Sequence, residues 1–192
     1  MLKKILLIVI ILNLFIMTNS LAEVKDFENH WATNEIDKFI ENEFIELNNN
    51  SFRPDENMTR GEFVRLVNKA YGYTELSNDY FSDMDMSNKY IKDALIARNI
   101  GYISGYPDNT FRSEQNISRQ EVATVFYKIM NLEDSSENNL INFIDFKELP
   151  EWSKNYLNKV VEKGYLAGYP DKTLKPTNNI KRAEAVNGRQ HY

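Results

Sequence analysis

Apolar and polar positions along this chain follow a rhythm that returns three times. Apolar residues recur at i, i+3, i+4, i+7 and i+8 in Phe63, Leu66, Val67, Ala70 and Tyr71, and again in Val122, Val125, Phe126, Ile129 and Met130. That spacing predicts helices that each bury one stripe. A looser helical pattern precedes each stripe: Trp31, Ile36, Phe39, Ile40, Phe44 and Leu47, then Ile91, Ala94, Leu95 and Arg98. The third instance is Trp152, Tyr156, Leu157, Val160 and Val161. Each copy therefore reads as helix, loop, helix, with polar linkers at 74–78 and 133–139. Ahead of all three, Lys3 and Lys4 precede an apolar run from Ile5 to Met17, and Ser20-Leu21-Ala22 offers small residues at a cleavage point. This predicts a secretory signal peptide over 1–22, its apolar run short of the ~20 residues that span a bilayer.

The second helix of each copy opens on one motif. It reads Met58-Thr59-Arg60-Gly61-Glu62, Ile117-Ser118-Arg119-Gln120-Glu121 and Ile180-Lys181-Arg182-Ala183-Glu184. Arginines at 60, 119 and 182 are 59 and 63 residues apart, a period that signals one supersecondary unit copied along the chain. The expected units are 23–73, 79–131 and 141–192. Thr59 with Glu62, and Ser118 with Glu121, form capping boxes. Lys181 holds the cap position in the third copy, so that box is expected to be lost, at a cost of about 1 kcal/mol. The loop Gly105-Tyr106-Pro107-Asp108-Asn109-Thr110-Phe111 returns as Gly168-Tyr169-Pro170-Asp171-Lys172-Thr173-Leu174, with proline and Asp or Asn favouring a turn. Copy one has neither its glycine nor its proline. Gly188 to Tyr192 does not continue the apolar stripe, so the third copy reads as C-terminally truncated.

Composition narrows the function. The formal net charge is −5, and loss of Lys3 and Lys4 with the leader takes it to −7, a surface that disfavours nucleic acid and anionic lipid. With no cysteine, the chain has no disulfide or lipidation site and depends on apolar burial. Asp108-x-Thr110 fails as a calcium loop because its twelfth position is Arg119 rather than a glutamate. His30 and His191 lack the spacing of a metal motif, and no nucleophile elbow, phosphate loop or dinucleotide fingerprint occurs. No catalysis, metal or cofactor is expected.

An arginine just after a helix cap sits where the helix already carries partial positive charge and free amides. Arginine three times in that disfavoured place suits a carboxylate or phosphate ligand. The alternative is an internal strut, each arginine paired with a carboxylate such as Asp83 or Asp145. Tyr106 and Tyr169 divide in the same way, between core rings and rims for a sugar face.

Taken together, the Ile/Met-Thr/Ser-Arg-x-Glu motif, Gly-Tyr-Pro-Asp-x-Thr-Phe, Phe81-Ser-Asp83, Phe143-Ile-Asp145 and His30-Trp31-Ala32 resemble the S-layer homology repeat family. The resemblance covers three copies from about Val24 onward. It implies an all-α fold of three helix-loop-helix repeats in a pseudo-threefold bundle, exported to the bacterial cell wall or surface. It also implies grooves that hold secondary cell-wall polysaccharide, often through a pyruvylated sugar. By that resemblance Arg60, Arg119 and Arg182 take the anion, while Asp83, Asp145, Gly105, Gly168, Trp31 and Trp152 line or shape the grooves. The family usually anchors an attached domain, so a cargo domain absent from this chain is a further expectation. Two alternatives stand beside it: a structural or peptide-binding module, and the anchor half of a wall hydrolase.

Overall fold

The computed structural model describes residues 25–134 and 138–187; the signal-peptide expectation and Gly188–Tyr192 lie outside the described residues. Six α-helices form there: α1 Thr33–Glu41, α2 Arg60–Tyr71, α3 Ile91–Ile100, α4 Arg119–Ile129, α5 Glu151–Glu162 and α6 Arg182–Val186. Two 3₁₀ turns, Asn139–Asn142 and Phe146–Glu148, lead into α5. The fold is all-α, and among the described residues no helix is long and apolar enough to cross a membrane.

The closest helix pairs form between copies. α2 packs on α3, α4 on α5, and α6 returns to α1, so each copy's second helix buries its stripe against the first helix of the next. At the centre, the residues before the three caps close a backbone ring. The Met58 N–H donates to the Ile180 carbonyl, Ile117 to Met58 and Ile180 to Ile117, each at 3.0 Å. All three side chains are buried, which places the pseudo-threefold axis in the apolar core. Phe52, Phe111 and Leu174 plug the three loops into that core. Each plug is clamped by an aspartate from the start of its own copy. Asp26 accepts from the Phe52 and Arg53 amides at 2.8 and 2.7 Å, and Asp83 from Phe111 and Arg112 at 2.7 Å each. Asp145 does the same for Leu174 and Lys175, at 3.0 and 2.8 Å.

Two local expectations change. The first helix of copy one ends at Glu41, so Phe44 and Leu47 lie beyond it although their spacing continues its period. The chain reverses through Glu43 at φ 60°, and the Phe44 N–H closes on the Phe39 carbonyl at 2.9 Å. Copies two and three turn at the equivalent Gly101 and Gly164, also with positive φ. At the third cap the box is halved rather than lost. A lysine ammonium cannot accept a hydrogen bond, yet Glu184 still reaches back to the Lys181 amide at 2.9 Å. The helix it opens is only five residues long, with Ala183, Ala185 and Val186 buried.

Candidate functional site

The amides that would make each helix N-terminus an anion seat are already bonded. Arg60 and Gly61 donate to the Gln115 and Ser113 carbonyls at 2.8 and 2.9 Å, and Arg119 and Gln120 to those of Asn178 and Pro176 at 2.9 Å. Arg182 and Ala183 donate to Glu56 and Pro54, at 2.9 and 3.0 Å. In copy one the next amide, that of Glu62, goes to the Thr59 hydroxyl at 3.2 Å, while the Glu62 carboxylate takes the Thr59 N–H at 2.9 Å. In copy two the Glu121 carboxylate takes both the amide and the hydroxyl of Ser118, at 2.8 and 2.6 Å. The loop of the neighbouring repeat occupies the place where a free ligand was expected.

The arginine side chains follow the same direction around the ring. Arg60 Nε donates to the Phe111 carbonyl at 2.9 Å and Nη1 to Glu121 at 3.0 Å. Arg182 Nε donates to the Phe52 carbonyl and Nη1 to Glu62, both at 2.7 Å. Arg119 is wholly buried; Nε donates to the Leu174 carbonyl at 3.0 Å and Nη2 to that of Ala167. Among the described residues its Nη1 has no hydrogen-bond partner, and it stands 3.9 Å from Glu184. The ion-pair partners are therefore the motif glutamates of the next copy. Asp83 and Asp145, the carboxylates named from sequence, clamp the plugs instead.

Tyr106 and Tyr169 are half-buried and join these pairs. Each ring lies beneath a guanidinium, Arg60 at 4.8 Å and Arg119 at 4.6 Å, and each hydroxyl donates to the paired glutamate, at 2.7 Å to Glu121 and 3.1 Å to Glu184. Burial alone would raise the Glu121 carboxyl, but Ser118, Arg60 and Tyr106 hold it below its ordinary range. Burial and the bond to Glu121 push the Tyr106 hydroxyl up to about 12. Gly105 and Gly168 serve close packing, since a Cβ there would stand 2.6 Å from the Phe81 ring and 2.2 Å from that of Phe143.

Two inter-repeat grooves open onto these pairs. One, of about 490 Å³, lies between α4, α5 and the copy-two loop, and is lined by Arg60, Gly105, Tyr106, Glu121, Lys128 and Trp152 among others. Trp152 is 53% exposed at its lip. Another, of about 440 Å³, lies between α2, the start of α3 and the copy-one loop, and is lined by Arg53, Glu62, Arg65, Lys69, Tyr90 and Arg182 among others. Copy one thus keeps a groove without the Gly-Tyr-Pro motif. Trp31 is 54% exposed beside His30.

Sequence reading passed over Tyr90, Lys128 and Asp26. Tyr90 is the copy-two counterpart of the two tryptophans, since each precedes an apolar helix position by five residues: Ile36, Leu95 and Leu157. It is buried beside Gly61, where a Cβ would meet its ring at 2.3 Å. Lys128 follows its motif arginine by nine residues, as Lys69 does. Asp26 lies five residues before Trp31 without the phenylalanine start that marks Asp83 and Asp145.

The S-layer homology domain family matches residues 25–64, 80–123 and 143–186. Among curated relatives, the chain is 35% identical over 147 residues to "Cell surface glycoprotein 1" of Acetivibrio thermocellus, which covers 71% of this chain and 6% of the relative. It is 35% identical over 143 residues to "Cellulosome-anchoring protein" of the same organism, 70% of this chain and 32% of the relative. A third Acetivibrio thermocellus protein, "Exoglucanase XynX", is 26% identical over 166 residues, 84% of this chain and 15% of the relative. The chain thus spans less than a third of each relative's length.

Proposed function

The chain belongs to the S-layer homology domain family, and from that premise we propose that it is a non-catalytic module that attaches to the bacterial cell wall from outside. In this reading residues 1–22 direct export, and the grooves between repeats hold an anionic wall polysaccharide, pyruvylated in the form the family often uses. The observation that carries the reading is the groove between α4 and α5. It combines an exposed indole, a half-buried tyrosine and basic side chains, the set that stacks a sugar ring and meets an acidic substituent. Strut and ligand roles for the arginines are compatible. Each guanidinium has five N–H donors; Arg60 uses Nε and Nη1 on its neighbour while also lining the groove. Two relatives carry names of surface or anchoring proteins and one that of an exoglucanase, which fits a module shared by different attached domains.

The test is cosedimentation of the chain lacking residues 1–22 with sacculi of Acetivibrio thermocellus, before and after chemical removal of the wall polysaccharide. Binding that disappears on stripping supports the reading, and Trp152→Ala is expected to weaken it at least tenfold, about the worth of one stacked aromatic contact. A folded chain that ignores intact sacculi defeats the reading.

A further inference from the structure

The grooves differ in whether their cations are already neutralised. In the groove beside copy one, all five lining cations have carboxylate partners. Lys69 pairs with Glu46 at 2.7 Å, Arg182 with Glu62 at 2.7 Å, and Arg65 with Asp93 at 2.9 Å. Arg53 pairs with Glu56 at 3.0 Å and Lys89 with Glu114 at 3.5 Å. In the groove between α4 and α5, Arg60 is matched by Glu121 at 3.0 Å, but Lys128 has no such match. Among the described residues the one side-chain partner of its ammonium is the Ser104 hydroxyl, at 3.5 Å.

The sequence explains the difference. Lys69 and Lys128 both stand nine residues after their motif arginines, on the last turns of α2 and α4. Glu46 and Ser104 both stand three residues after the residue that reverses the chain, Glu43 or Gly101. Copy one therefore carries a glutamate where copy two carries a serine. Partial burial in a groove lined by Ile103, Val125, Trp152 and Tyr156 adds to the effect, because a desolvated ammonium without a counter-charge is costly until an anion reaches it. In keeping with this, burial holds the Lys128 ammonium below the ordinary lysine range.

Resting on the wall-anchor reading, we infer that Lys128 is the anion-binding residue of the groove between α4 and α5, receiving an acidic substituent of a glycan whose ring lies against Trp152. The shared chemistry is a carboxylate or a phosphate. The motif arginines hold the neighbouring repeat and shape the groove, and the copy-one groove, with its cations neutralised internally, binds more weakly or not at all.

The experiment measures binding of the chain lacking residues 1–22 to Acetivibrio thermocellus sacculi, comparing the parent chain with Lys128→Gln, Ser104→Glu and Lys69→Gln. Ser104→Glu places beside Lys128 the carboxylate that copy one already has, and leaves the lysine in place. Circular dichroism and a urea midpoint establish that each variant is folded. Lys128→Gln and Ser104→Glu are each expected to lower affinity about tenfold to a hundredfold, the range of a charge-assisted hydrogen bond, with Lys69→Gln within about twofold of the parent. Carboxyl-reduced and dephosphorylated sacculi then show which acidic group is read. Parent-like binding by folded Lys128→Gln overturns the inference alone, as does an equal loss in Lys69→Gln. Failure of the parent chain to bind overturns the anchor reading and the inference together.

Discussion

Arg119 shows how one residue can be misjudged when only its neighbours in sequence are visible. Its guanidinium is wholly buried between carbonyls of the third repeat, with Glu184 at 3.9 Å. Removing it takes the guanidinium donors from the Leu174 and Ala167 carbonyls and leaves the buried Glu184 carboxylate without its cation. Arg119→Ala is therefore expected to cost about 3–5 kcal/mol, measured as a lowered urea midpoint at unchanged slope; a midpoint equal to the parent's would refute the strut. For the same reason, lost wall binding in that variant would not locate a ligand, whereas Trp152 and Lys128 can be changed with less risk to the fold. Tyr106 adds a pH dependence of stability. Its hydroxyl is raised from 10 to about 12, so the protonated form is favoured in the folded chain. That contribution is fully present below pH 10 and is lost as pH rises through about 12. A Tyr106→Phe variant is expected to flatten this alkaline limb in a pH series of urea titrations. An unchanged limb would assign it to other groups.

At the scale of elements, the amphipathic stripes of α2 and α4 were legible from spacing alone, because a 3.6-residue period needs no partner to be seen. The end of α1 was not. Phe44 and Leu47 keep the helical period by position, but Glu43 takes a left-handed conformation that residue type does not advertise. Copies two and three signal the same reversal openly with glycine. The contact between α2 and α3 shows a second device hidden in the sequence. Gly61 stands where the other copies have Gln120 and Ala183, and its missing Cβ makes room for the Tyr90 ring. Trp31 and Trp152 have no such recess and stay exposed. Gly61→Ala is expected to force Tyr90 outward and to cost about 1–3 kcal/mol, with rising tyrosine accessibility to a fluorescence quencher as the specific sign. A destabilised variant with Tyr90 still shielded would contradict this account.

Across the whole molecule, the ring of Met58, Ile117 and Ile180 makes the three repeats interdependent. Each copy supplies an arginine to the next, and α6 returns the last copy to the first. Linear repeat arrays open from their ends, since each unit touches only its neighbours; a closed ring has no end to open. The amides of Met58, Ile117 and Ile180 are expected to exchange hydrogen together, at the free energy of global unfolding. Distinctly faster exchange at Ile180, with its five-residue α6, would show that the third copy opens alone.

The sequence by itself determined the number of repeats, their helical class, the capped helix starts and the loop turns, and its repeated motifs resembled the family that the matches then showed. Those features rest on local periodicity, turn chemistry and caps, all set by residues close together along the chain. The tertiary structure decided who pairs with whom. Arg60 reaches Glu121, and Arg182 reaches Glu62, across 61 and 120 residues, and one motif read alone gives no sign of that partner. The carbonyls that fill the helix N-termini come from other copies for the same reason. The difference between Lys69 and Lys128 also belongs to the fold. It depends on which side chain the preceding loop delivers beside each ammonium, and only packing brings that loop and that helix together.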